Sequence, residues 1–127
     1  MIFLGGTSYS YEREKIPKLL GKWQGKNSLS VAETGFTSLQ ADLILSIYEQ
    51  TGRNFKGRID GKIDDIKYGQ DLTGSIDEND KYICAASTDG NLYIGYFITD
   101  SFIRFYSFEK KANTRIIQYK LRKLQNK

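Results

Sequence analysis

The sequence predicts an all-β fold, an eight-stranded antiparallel up-and-down β-barrel with a short N-terminal lead-in. Three observations point there. Apolar and polar residues alternate with a period of two from Gly21 onward, beginning with Gly21-Lys22-Trp23-Gln24-Gly25. That period marks strands with one wet and one buried face. The alternating runs are separated by short Gly-, Asn- and Asp-containing turns, with no helical period between them. The chain also carries nine Tyr, seven Phe and one Trp against a single Pro, a composition that favours an ordered, strand-rich domain.

Taken in order, residues 1–20 read as a tail and lead-in, and 21–124 as one barrel domain. One core is what 127 residues can support. Within the lead-in, 9–20 has room for a short helical turn, but Pro17 prevents a long helix because it lacks an N–H and clashes with the preceding turn. The segment is expected to close one barrel end. The first strand is predicted over 21–33 with Trp23, Asn27, Leu29 and Val31 facing inward, and 34–38 as its turn. The second covers 39–50 and meets the third, 53–60, through Thr51-Gly52. A fourth spans 66–76 and a fifth 81–88. Asp89-Gly90 then predicts a type I′ hairpin, which needs positive φ at both central residues. The last three strands are predicted over 91–98, 101–109 and 114–124. Consecutive hairpins imply up-and-down neighbours, and eight strands is the number at which such a sheet closes around a filled or small-ligand interior. A two-sheet sandwich is the competing architecture, and the inward parity of the fifth and seventh strands stays open.

The Gly21-x-Trp23 motif on the first strand resembles that of the calycin superfamily, which comprises lipocalins, fatty-acid-binding proteins and avidins. The resemblance covers 20–124 and is closest to avidins in length and loop size. It implies that Trp23 closes one barrel end beneath a basic residue of the last strand, for which Arg122 is preferred over Arg115. Gly21, Trp23 and Arg122 are thus the expected structural anchors. Avidins line their pocket with several tryptophans; with Trp23 alone, biotin is not the implied ligand.

Several chemistries are excluded. There is no histidine, so no His-based general base, Ser-His triad or His-ligated metal site is available. One cysteine, Cys84, rules out an intrachain disulfide and reads as a buried, inert thiol. The acidic turns at Asp64-Asp65 and 77–80 lack the spacing of a calcium loop. No cofactor, metal or catalytic residue is therefore expected. The short apolar start Met1-Ile2-Phe3-Leu4 has no basic flank and is not read as a signal peptide, which together with the single cysteine favours the cytoplasm.

The leading functional reading is a non-catalytic barrel that binds a small hydrophobic or amphipathic molecule in its interior. Asn27, Arg53, Phe55, Tyr68 and Tyr93 are its candidate ligand-binding residues. Arg53 would meet an anionic group, Asn27 would orient the ligand, and buried tyrosine hydroxyls need partners. Apolar residues occupy both parities of the last four strands, which points to a covered outer face and a homo-oligomer, dimer or tetramer. A filled-core interaction module is thus the first alternative. A barrel-mouth isomerase or cyclase using Glu33 or Glu49 is the second. Net charge is +4, and Lys110, Lys111, Arg115, Lys120, Arg122, Lys123 and Lys127 make the last strand and its turn basic. The aromatics are too evenly spread along the chain to mark a stacking platform, so neither nucleic acid nor a membrane is the expected partner.

Overall fold

In the computed structural model, residues 16–25, 29–32, 35–38, 41–63, 65–110 and 114–125 are described. They form β1 (Gly21–Gly25), β2 (Leu29–Ala32), β3 (Gly35–Ser38), β4 (Ala41–Thr51), β5 (Asn54–Ile63), β6 (Ile66–Ile76), β7 (Tyr82–Ser87), β8 (Leu92–Thr99), β9 (Phe102–Lys110) and β10 (Thr114–Lys123). Every pairing is antiparallel. The order β1-β4-β5-β6-β7-β8-β9-β10 returns to its start through a β1–β10 pairing, so eight strands close a barrel. The sandwich alternative falls with that closure.

The first predicted strand departs from its expected form. Its residues are divided between β1 and β2, and both pair with β10. Gln24 lies opposite Arg122 and Leu29 opposite Gln118, five residues on one strand against four on the other. That offset of one exchanges faces, because side-chain direction alternates with a period of two. Ser30, rather than Leu29 or Val31, is opposite the buried Ile117. Segment 34–38, expected as a turn, instead contains β3, which pairs with β2 and extends the sheet beyond β10.

Elsewhere the alternation of the sequence becomes the alternation of the wall. In β5, Phe55, Gly57 and Ile59 are buried while Lys56, Arg58 and Asp60 are exposed. In β7, Ile83, Ala85 and Ser87 are buried between exposed Tyr82, Cys84 and Ala86. Tyr93, Ile103 and Phe105 are buried, and Phe97 packs against the core from the same side, which fixes odd parity inward on β8 and β9. Glycine makes room where rings cross the interior: a Cβ on Gly74 would collide with the Phe55 ring and with the Cys84 carbonyl.

The turn at 87–90 has a different geometry from the one expected. Gly90 has φ +92, but Asp89 is not among the residues with positive φ. The Gly90 N–H donates to the Ser87 carbonyl at 3.0 Å, so this is a one-turn loop ending in a left-handed glycine rather than a type I′ pair. The turn after β6 repeats the pattern, with the Asp80 N–H donating to the Asp77 carbonyl at 2.9 Å and Asp80 at φ +59.

Candidate functional site

The barrel interior is closed at one end and polar at the other. At the closed end the lead-in supplies Leu19, buried beside the fully buried Trp23. The Trp23 indole N–H donates to the Leu19 carbonyl at 2.9 Å, and the Leu19 N–H donates to the Gln50 side-chain oxygen at 2.7 Å. Gln50 also donates to the Pro17 carbonyl at 2.8 Å. The residues from 17 to 20 take no helical form; they lie across the barrel end and satisfy their backbone groups on Gln50, Trp23 and Lys123. The cation above the Trp23 ring is Lys123, at 5.4 Å, whereas Arg122 lies over Phe102 on the outside, at 5.9 Å. A one-residue difference in parity decides which of the two neighbours reaches the end of the barrel.

Above this plug the interior is filled by Leu45, Ile59, Leu72, Phe105 and Tyr93, all buried. Tyr93 stacks on Phe105 with ring centroids 5.5 Å apart. Toward the β5–β6 hairpin, hydroxyl and amide groups appear on inward positions. Gln70 lies opposite the buried Ile59, Ser87 opposite Leu72, Ser107 opposite Tyr93, and Tyr119 opposite Phe105. Directly opposite residues share a face, so these groups belong to the interior. Tyr68 sits opposite Gly61, where any side chain would meet the Tyr68 ring. Its hydroxyl lies 3.3 Å from that of Tyr119. β6 and β10 are on opposite sides of the eight-strand circuit, so the pair is a strut across the barrel.

Gln70 is the central polar group here. Its amide N–H donates to the Asp89 carboxylate, which also accepts from the Ser87 hydroxyl at 2.8 Å. The Gln70 side-chain oxygen is buried and has no hydrogen-bond partner among the described residues. A buried acceptor left in that state costs about 1–3 kcal/mol. The arrangement offers hydrogen bonds to the polar end of a mainly apolar molecule. No metal-ligating cluster occurs among the described residues.

The residues named from sequence do not converge. Tyr68 is at the polar end. Arg53 lies at the other end of β5, ion-paired with Asp80 at 2.8 Å and donating to the Asp77 carbonyl at 3.2 Å, so it locks a turn. Phe55 and Tyr93 are core side chains. Asn27 and Glu33 lie outside the described residues. Glu49 is exposed on the outer wall. Gln70, Ser87, Ser107 and Tyr119 were not singled out, although each shares parity with buried apolar neighbours, which is the signal that identifies them. Cys84 is exposed rather than buried, because Ile83 and Ala85 occupy the inward positions of β7.

A second concavity lies outside the barrel. A groove of about 1040 Å³ runs over the outer wall, its lining including Lys56, Cys84, Leu92, Ile94, Phe108 and Ile116.

No protein-family model matches the sequence. A stretch of 57 residues, 42% of this chain, is 44% identical to 1-deoxy-D-xylulose-5-phosphate synthase of Methylacidiphilum infernorum (isolate V4), of which it spans 9%. Among solved structures, the chain is similar to a de novo designed fluorescence-activating β-barrel at a TM-score of 0.57 and 12% identity, over 84% of this chain and 94% of that one. The redesigned barrel mFAP0, bound to DFHBI, aligns at 0.55 and 12% identity, over 83% and 98%. The S-type phycobiliprotein lyase CPES of Guillardia theta aligns at 0.54 and 10% identity, over 95% and 94%. At these identities the likeness is one of fold: antiparallel β-barrels.

Proposed function

We propose that this protein binds a small amphipathic molecule at the polar end of its barrel. The buried, unpartnered oxygen of Gln70 is the observation that carries the reading. It sits in an interior plugged at the far end by Leu19 and Trp23 and lined near the mouth by Tyr68, Ser87, Ser107 and Tyr119. A few convergent polar groups over an apolar floor are the usual lining of a small-molecule site. A ligand hydroxyl or N–H donating to Gln70 would satisfy its oxygen, and Tyr68, beside the β5–β6 hairpin, would move aside to admit it. The DFHBI-bound barrel among the structural neighbours lends support, since a barrel of similar architecture holds a small molecule.

Titration with DFHBI tests this. Saturable fluorescence is expected from the wild-type protein, with affinity reduced roughly three- to tenfold by Tyr68→Phe or Gln70→Met, about one hydrogen bond each. Arg53→Ala, at the other end, should leave it unchanged. Native mass spectrometry gives the second measurement. A protein that shows neither a DFHBI response nor a co-purifying small mass argues against the reading.

The outer groove favours a second reading, in which copies of the barrel associate through Leu92, Ile94 and Phe108. Here Ile94→Lys should lower the mass measured by light scattering, and a monomeric wild-type protein would dismiss it.

A further inference from the structure

On the described outward positions of its strands, though not in the turns that carry Glu78 and Asp100, the barrel separates its charges by side. The outer wall of β4–β6 carries both signs, as in the contacts of Arg58 with Asp60 at 3.1 Å and Asp71 at 3.4 Å. On the outward positions of β7–β10, the charged side chains described are Arg104, Lys120 and Arg122, all positive. None of the ion pairs among the described residues involves them. Strand register then interleaves these cations with aromatic rings. One row runs Tyr82, Tyr96, Arg104, Lys120 across four strands, and the next places Phe102 beside Arg122. Tyr82 is 47% and Phe102 42% exposed, and beyond them Ile98 is 51% exposed. The rings of Tyr82 and Tyr96 meet edge to face with centroids 6.2 Å apart, and Lys81 stands 5.6 Å over Tyr82. At the centre of the row, the Arg104 Nε is buried and lacks a hydrogen-bond partner among the described residues.

We propose that this wall binds single-stranded nucleic acid, with bases stacking on Tyr82, Tyr96 and Phe102 and phosphates held by Lys81, Arg104, Lys120 and Arg122. The occupant follows from charge. A second copy of this face would bring cations against cations, so any self-association belongs to the apolar half above Ile94. An anion is required, and one that uses exposed rings among cations is a chain of bases and phosphates. These rows lie across four paired strands of the wall rather than on a projecting helix or ribbon, so the strand they suit is unpaired. In the linear sequence the aromatics look evenly spread; only the register collects them.

Fluorescence anisotropy of the full chain with labelled twelve-nucleotide poly-dT and poly-U tests this. Binding is expected at low salt, falling linearly with salt on logarithmic axes. Tyr96→Ala or Tyr82→Ala should weaken it about tenfold or more. Arg104→Gln should reduce the slope by about 0.7, one phosphate contact. Lys120→Glu, an exposed change that leaves the core untouched, should weaken binding with an unchanged circular dichroism spectrum. The proposal is overturned by absence of binding at about 50 mM salt, by equal affinity for duplex of the same length, or by insensitivity to both tyrosine changes. Binding to phosphatidylserine vesicles without binding to either oligonucleotide would overturn it in favour of a membrane surface. A DFHBI response is independent of all these outcomes, since that site lies inside the barrel.

Discussion

Trp23 and Gln70 show what inward parity means for two different side chains. Trp23 is fully buried, its one donor satisfied by Leu19, and its face covered by Lys123. Trp23→Ala removes this packing and leaves a cavity, so about 3–5 kcal/mol of stability should be lost, measurable as a lowered urea midpoint. Gln70 is the opposite case. Its oxygen is buried without a partner, and replacing it with an apolar side chain of similar length removes an uncompensated group. Gln70→Met recovers that cost but loses the bond from the amide N–H to Asp89, so it should leave the thermal midpoint close to that of the wild type while it weakens ligand binding. A fall in both would make Gln70 a structural residue only. Gly74→Val should destabilise by about 1–3 kcal/mol in thermal unfolding, because Phe55 and the Cys84 carbonyl already occupy the space.

Among the elements, the β6–β7 turn depends on charge. The Asp77 carboxylate accepts the backbone N–H groups of Tyr82 and Lys81, each at 2.9 Å. These bonds, Tyr82's first, hold its pKa below the ordinary value of 3.8. A carboxylate with a lowered folded-state pKa contributes stability that is fully present above its unfolded value and is lost as pH falls through the folded one. The turn should thus loosen only in acid, below about pH 4. Asp77→Asn, which keeps an acceptor but cannot titrate there, should flatten the pH dependence of stability in that range, as read from urea midpoints between about pH 5 and pH 2. An unchanged profile would show that the turn does not couple to global unfolding.

At the scale of the whole molecule, the β1–β10 pairing closes the eight-strand circuit while β3 extends the sheet beyond it. The two proposed sites lie at the polar end of the barrel and on the outer wall of β7–β10. In the proposed binding mode, the plugged end and the filled floor leave the polar end as the side from which a ligand enters. The outer wall is divided, with apolar residues near the β7–β8 turn and cations with aromatics toward the other end. Light scattering at low and high salt should separate the two halves. Association through the apolar half persists in salt, whereas oligonucleotide binding through the cationic half declines.

The sequence by itself determined the barrel. A period of two, repeated between short turns, specifies which side chains are buried on nearly every strand after β3, and Trp23 as the plug follows from the same alternation. Tyr68 was legible as an inward tyrosine, and so in principle were Gln70 and Tyr119, by parity with their neighbours. Three things were decided by tertiary structure. The offset between β1 and β2 is set by pairing with β10, which no local pattern encodes. The choice of Lys123 over Arg122 above Trp23 depends on where the last strand ends against the first. The gathering of Tyr82, Tyr96, Arg104 and Lys120 into one row depends on register between strands. Alternation is local and survives in one dimension; neighbourhood across a closed sheet exists only once the strands have paired.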